Sequence, residues 1–117
     1  MKENEKMKVI YVNVKSLKPA EYNPRKANEK QLQELTDSIT RFGFAEPIVV
    51  NKSPKRMNVV LGGHLRLKIA NDLKMVTVPV VYVDIENINK EKELNLRLNK
   101  NTGEFDFDLL ANYDEDI

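Results

Sequence analysis

The chain has 117 residues, with 19 Lys and Arg against 18 Asp and Glu, and so a formal net charge of +1. Hydrophobic residues make up 41% and charged residues 32%, a globular composition rather than the low-hydrophobicity, high-net-charge profile of disorder. With no cysteine and one histidine, disulfides, thiolate zinc sites, cysteine nucleophiles and two-histidine mechanisms are all excluded.

The N-terminus MKENEKMKVIYV carries charge but no apolar signal region, and no stretch approaches the ~20 apolar residues that span a bilayer. The expectation is a small cytoplasmic protein without membrane contact. Lys8–Val14, rich in β-branched and aromatic residues, predicts a strand. Pro19 and Pro24 then forbid a helix through LKPAEYNPR and push the preceding residues to extended conformations. A helix follows: Asn28 can cap it, Gln31 stands three residues on as in a capping box, and Leu32, Leu35, Ile39 and Phe42 recur at helical spacing until Gly43 ends it. Pro47 opens a short apolar run, Ile48–Asn51, and KSPKR turns the chain into Asn58–Leu61, giving a hairpin or two neighbouring strands. After Gly62-Gly63, His64–Leu73 reads as a second helix with Leu65, Ile69 and Leu73 on one face. Thr77–Val83 is a further strand, which Pro79 places at an edge or restricts in its pairing. Glu91–Asn99 predicts a short helix joined by Leu94 and Leu98, Asn101-Thr102-Gly103 a turn, and Asp106–Asn112 a last helix. The order describes one mixed α/β or α+β domain.

The junction Val59–Lys68 carries most of the chemistry. A strand runs into two glycines and directly into a helix, an arrangement in which the backbone can approach a ligand and the first helical N–H groups can cradle an anion. Arg66 can fork onto a phosphate there. The alternative is a tight turn with a surface arginine, and His64 as a hydrogen-bonding group rather than a catalytic one. Asn23-Pro24-Arg25 holds an arginine on a rigid turn. Glu46, just before a strand, is a candidate general base or magnesium ligand, or else a loop carboxylate. The amides and carboxylates of Asn99–Asp106 can bind ribose, base or metal, or simply form a turn. Lys52, Lys55, Arg56, Arg66 and Lys68 fall in a run without an acid, either an ordinary solvated face or a patch facing DNA-backbone phosphates. The tail from Glu104 to Ile117 is acidic and has no base.

As an ordered set, Leu17, Pro19, Asn23-Pro24-Arg25, Leu35, Ser38-Ile39, Phe42-Gly43, Pro47–Val50, Gly62-Gly63-His64, Arg66, Ala70 and Val78–Val81 resemble the N-terminal domain of the ParB family, the ParB/sulfiredoxin-like fold. The resemblance implies a small domain with a mixed sheet flanked by helices, spanning 8–107, with 1–7 as a flexible N-terminus and 108–117 as an acidic segment at a domain boundary. It implies that Gly62, Gly63, His64 and Arg66 bind the phosphates of a nucleotide (a tri- or diphosphate, with or without magnesium) or of nucleic acid, supported by Asn23, Arg25 and Asn99.

The departures narrow this reading. Sulfiredoxins carry a catalytic cysteine in G-G-C-H-R, whereas here Gly62-Gly63 is followed directly by His64, so sulfinic-acid reduction is excluded. CTP-hydrolysing partition proteins use G-E-R-R and a later E-N-x-Q-R. Here Gly63-His64 replaces the G-E core and Leu98 precedes Asn99 where the acid would stand, which puts a metal-dependent CTP switch in doubt. The length leaves no room for their helix-turn-helix and dimerisation parts. The phrase from Leu98 to Leu110 resembles the closing phrase of ParB-like modules fused to phage and mobile-element DNA methyltransferases.

The expected function is a DNA-associated module that binds nucleotide or nucleic-acid phosphates within a DNA-modification or partition system. A binding module is favoured over two alternatives: a metal-dependent nuclease or NTPase using Glu46, and a docking scaffold for a DNA methyltransferase. No metal ligand set is assigned.

Overall fold

A computed structural model describes residues 7–22 and 28–100, with the backbone alone at 99 and 100. β1 (Val9–Asn13) leads through a single 3-10 turn, Val14–Ser16, into the two-residue β2 (Lys18–Pro19). After α1 (Glu29–Phe42), a hairpin of β3 (Ile48–Asn51) and β4 (Val59–Gly62) encloses a second 3-10 turn at Pro54–Arg56. α2 (His64–Asp72), β5 (Thr77–Val83) and α3 (Ile88–Lys100) complete the described chain. The predicted final helix, the Asn101-Thr102-Gly103 turn and the acidic segment lie outside the described residues.

The strands form one mixed sheet in the order β1-β5-β3-β4-β2. β1 with β5 and β3 with β4 are antiparallel, while β3 with β5 and β2 with β4 are parallel. The mixed α/β class expected from the sequence is the class observed. β2 has no counterpart among the expected strands, because two residues are too few for an alternation to register.

The core lies between the sheet and α2. Ile48, Val50, Val60, Val78 and Val80 from the strands meet Leu67 and Ala70 of α2, with Val14 and Leu17 closing one side. On the far side of α2, its Leu65 and Ile69 pack with Ile39 of α1, joined by Leu32 and Leu35. The layers are therefore sheet, α2 and α1. α1 carries the expected capping box: Asn28 Oδ1 accepts from the Gln31 N–H at 2.7 Å, and the Asn28 N–H donates to Gln31 Oε1 at 3.3 Å. Gly43 at φ 76° donates back to the Ile39 carbonyl at 2.8 Å and ends the helix.

Two expectations need correction and a third narrows. Phe42 sits at helical spacing but is 74% exposed, because the apolar stripe leaves the α2 interface at Ile39; the Arg41 guanidinium lies over its ring instead. Leu73 likewise falls past the last turn of α2 and is exposed. Of the two readings of Pro79, the edge strand fails, since β5 lies between β1 and β3, and the restriction on pairing holds. Pro79 faces Tyr11 and stands one residue ahead of Val80, where the β3 ladder begins, so its missing N–H costs at most one ladder bond.

Candidate functional site at the β4–α2 junction

β4 delivers Gly62 and Gly63 to the start of α2, and each glycine has its own physical reason. A Cβ on Gly62 would lie 2.9 Å from Leu98 Cδ1, so its small size admits α3 against the strand end. Gly63 is the N-cap of α2 in the left-handed region, φ 92° and ψ 27°, where a Cβ is strained. A side chain there would also meet Ile48 Cγ1 at 3.3 Å and Arg66 Nη1 at 3.5 Å. The cap supplies no side-chain hydrogen bond, and the first α2 bond runs from the Leu67 N–H to the Gly63 carbonyl. Helix starts of this kind leave the first backbone donors outside the intrahelical ladder, at the positive end of the helix dipole, and here Gly62, Gly63, His64 and Leu65 are buried.

Arg66 folds back over this start. Its side chain is 14% exposed, and Nη2 donates to Glu46 Oε2 at 2.9 Å; Glu46 itself is 67% exposed. The structure thus brings Gly62, Gly63, Arg66 and Glu46 together. His64 is buried, and its Nε2 accepts the Ala20 N–H at 3.0 Å. That bond ties the segment after β2 to the start of α2 and sets His64 among the hydrogen-bonding groups of the junction. Asn23 and Arg25 lie outside the described residues. Asn99 falls in the last turn of α3, and its side chain also lies outside them.

The basic run does not form one patch. β3 and β4 are antiparallel, with Val49 opposite Gly62, so Lys52, Lys55 and Arg56 stand at the turn end of the hairpin while Arg66 and Lys68 lie beyond the other end. Lys52 and Lys55 are exposed, and Lys68 pairs with Asp72 at 3.3 Å. Arg56, expected at a DNA backbone, is instead held between two carboxylates.

That arrangement was not legible in the sequence. Glu91 of α3 is fully buried. It accepts from Arg56 Nε at 3.0 Å and Nη2 at 2.9 Å, from the Tyr22 hydroxyl at 2.6 Å and from Asn51 Nδ2 at 2.8 Å. Burial alone would raise its carboxyl; the hydrogen bonds from Arg56, Tyr22 and Asn51 together outweigh that and hold it below the ordinary carboxylate range. The Glu91 bond in turn raises the Arg56 guanidinium further above its already high value. The other partner of Arg56 is the exposed Glu21, at 2.9 Å. Glu21 lies in the turn after β2, one residue past the Ala20 N–H that binds His64. Asn95, also fully buried, donates to the Leu61 carbonyl at 2.8 Å and seats α3 on β4. Glu91 and Asn95 are spaced i, i+4, the one local signal that these two polar groups share a helix face.

The junction can therefore bind an anion through backbone donors and Arg66, beside one carboxylate, Glu46, that is already paired with that arginine. Among the described residues no three His, Asp or Glu side chains are grouped to hold a metal ion. A divalent ion bound with a nucleotide would depend chiefly on the phosphates and water for its ligands. No helix of the described residues is long and apolar enough to cross a membrane.

A family model described as the ParB N-terminal domain matches residues 1–102. Among curated proteins, the ParB-like nuclease domain-containing protein YnaK of Escherichia coli K12 is 32% identical over 78 residues, covering 67% of this chain and 85% of that protein. The probable chromosome-partitioning protein ParB of Helicobacter pylori is 32% identical over 80 residues, covering 68% of this chain but 27% of that protein. The chain thus spans only about a quarter of the partition protein. Of solved structures, C-terminally truncated ParB from Caulobacter crescentus complexed with CTP-gamma-S superposes with a TM-score of 0.64 at 22% identity, over 77% of this chain and 52% of that one. Sulfiredoxin from Arabidopsis thaliana gives 0.62 at 17% identity, over 72% of this chain and 96% of that one. At these identities the structural matches establish the shared fold.

Proposed function

The chain belongs to the ParB N-terminal domain family, and we propose that it binds the phosphates of a nucleotide or of DNA at the junction formed by Gly62, Gly63, His64 and Arg66. One observation carries this reading. The start of α2 is capped by a glycine without a side chain, and an arginine lies folded across it. Backbone N–H groups at a helix start, joined by a forked guanidinium, suit the tetrahedral, multiply charged oxygens of phosphate. That the Caulobacter neighbour of the same fold is a complex with CTP-gamma-S supports a nucleotide as the ligand.

In this reading Arg66 is the cation that grips the phosphate and Gly63 is the cap that leaves room for it. His64 fixes the frame through Ala20, and Asn23, Arg25 and Asn99 are further contacts. Glu46 must release Arg66, or share it, when the anion arrives. Lys52 and Lys55 are candidate backbone contacts if the ligand is DNA. Relatives named for chromosome partitioning support a partition system as the setting; the resemblance of the Leu98–Leu110 phrase to methyltransferase-linked modules supports a DNA-modification system.

Calorimetric titration of CTP, ATP, ADP and short duplex DNA into the wild type and Arg66→Ala tests the assignment. The loss of one charge-assisted contact to an anion corresponds to about 1.5–3 kcal/mol, or roughly ten- to a hundredfold in affinity. Binding that Arg66→Ala leaves unchanged refutes the phosphate site. A second reading, metal-dependent hydrolysis of nucleotide or DNA, is favoured by the name of the YnaK relative and by Glu46 beside the junction. Magnesium-dependent release of phosphate or nicking of DNA, lost in Glu46→Ala, would establish it in place of binding alone.

A further inference from the structure

At the other end of α2 from Gly63 lies an open cavity of about 460 Å³, between Asn13–Lys15 and the α2–β5 turn, where Asn71 and Lys74–Val76 line it. That volume lies within the range of small-molecule pockets. Backbone hydrogen bonds fix its walls. The Val14 N–H donates to the Val76 carbonyl at 2.9 Å, the Met75 N–H to the Ala70 carbonyl at 2.9 Å, and the Lys74 N–H to the Asn71 carbonyl at 3.1 Å. Lys74 is held at φ 59° by this turn, and Asn13 Oδ1 accepts the Lys15 N–H at 2.8 Å. The cavity is therefore built into the fold rather than left between loose segments.

Its chemistry is uneven. Val76, 70% exposed, and the half-buried Met75 supply an apolar lining over the buried Val14. The charged groups of the lining are Lys15 and Lys74, with no acid among them. Asp72, two residues before Lys74, pairs with Lys68. Among the described residues neither Lys15 nor Lys74 takes part in an ion pair. The C-terminal carbonyls of α2 make this end of the helix locally negative, so an anion here requires the lysines.

We propose that this cavity binds an anion with an apolar body: a carboxylate, sulfonate or phosphate ester joined to a ring or a short alkyl chain. Lys15 and Lys74 meet the anionic group, and Val76 with the accessible part of Met75 takes the apolar part. A bare inorganic anion lacks the apolar contact, and an uncharged apolar molecule leaves both ammonium groups without a counter-charge.

The probe is 8-anilinonaphthalene-1-sulfonate, titrated into the full chain by fluorescence and by amide chemical-shift mapping. The expected result is saturable single-site binding, with shifts confined to 13–15 and 71–76. Lys15→Gln combined with Lys74→Gln weakens binding about tenfold or more, Val76→Asp weakens it as well, and Arg66→Ala leaves it unchanged. Sulfate at equal concentration does not displace the probe. Equal binding by the double lysine variant, shifts centred elsewhere, or displacement by sulfate alone would each overturn the proposal.

Discussion

Replacing Glu91 with Ala tests whether its carboxylate fastens α3 to the sheet. The wild-type group is fully buried and takes four hydrogen bonds, from Arg56 twice, Tyr22 and Asn51. Without it, Asn51 Nδ2 keeps only the Ile85 carbonyl, at 2.8 Å, while its Oδ1 still accepts from the Ser53 and Ile85 N–H groups. Arg56, whose side chain is 19% exposed, keeps only Glu21. Removing one member of a buried ion pair costs about 3–5 kcal/mol. The remaining Glu21 contact and the partial exposure of Arg56 place this case at the lower end, about 3 kcal/mol. For a domain of this size that corresponds to a fall of roughly 10–20 °C in melting temperature, read by circular dichroism and checked by urea denaturation. The sign of the pH dependence follows from the lowered carboxyl. Its contribution is fully present above the unfolded value, about 4.3, and is lost as pH falls through the lower folded value. Glu91→Gln therefore flattens the acid limb of the stability profile relative to wild type. A Glu91→Ala protein within about 0.5 kcal/mol of wild type would refute the view that this network seats α3.

Gly63→Ala places a Cβ in the left-handed region and 3.3 Å from Ile48 Cγ1. It should destabilise the fold by about 1–2 kcal/mol in the same denaturation assay, and weaken phosphate binding by crowding the start of α2. Glu46→Gln removes the carboxylate that occupies Arg66 while leaving a similar shape. Because Glu46 is largely exposed, the pair contributes at most about 1 kcal/mol, so anion affinity should rise about three- to fivefold in calorimetry. A fall in affinity would instead make Glu46 a ligand-binding group.

Much of the fold was legible because its signals are local. The Asn28–Gln31 capping box, the glycine stop of α1 and the β-branched runs of β3, β4 and β5 each depend on residues within a few positions of one another. The order of the sheet depends on pairings across the whole chain, and nothing local at Pro79 shows that β1 will cover the other side of β5. The glycine junction was legible as a strand running into a helix start, though Leu98, brought in by α3, accounts for Gly62. The basic run left two readings open for a geometric reason: residues close in sequence but on either side of a hairpin strand finish at opposite ends of it. The Glu21–Arg56–Glu91 network escaped because its members lie far apart in sequence and the turn that carries Glu21 follows a strand, β2, of only two residues.

The central claim is that phosphate is held at the start of α2. Amide chemical-shift mapping of the full chain with the tightest-binding nucleotide or duplex from the titration panel tests it most directly. The account predicts that the largest shifts fall on Gly62–Leu67, with smaller ones at Ala20 and Glu46, and that Arg66→Ala removes them. Shifts centred on Lys52–Arg56, with Gly62–Leu67 unmoved, would contradict it.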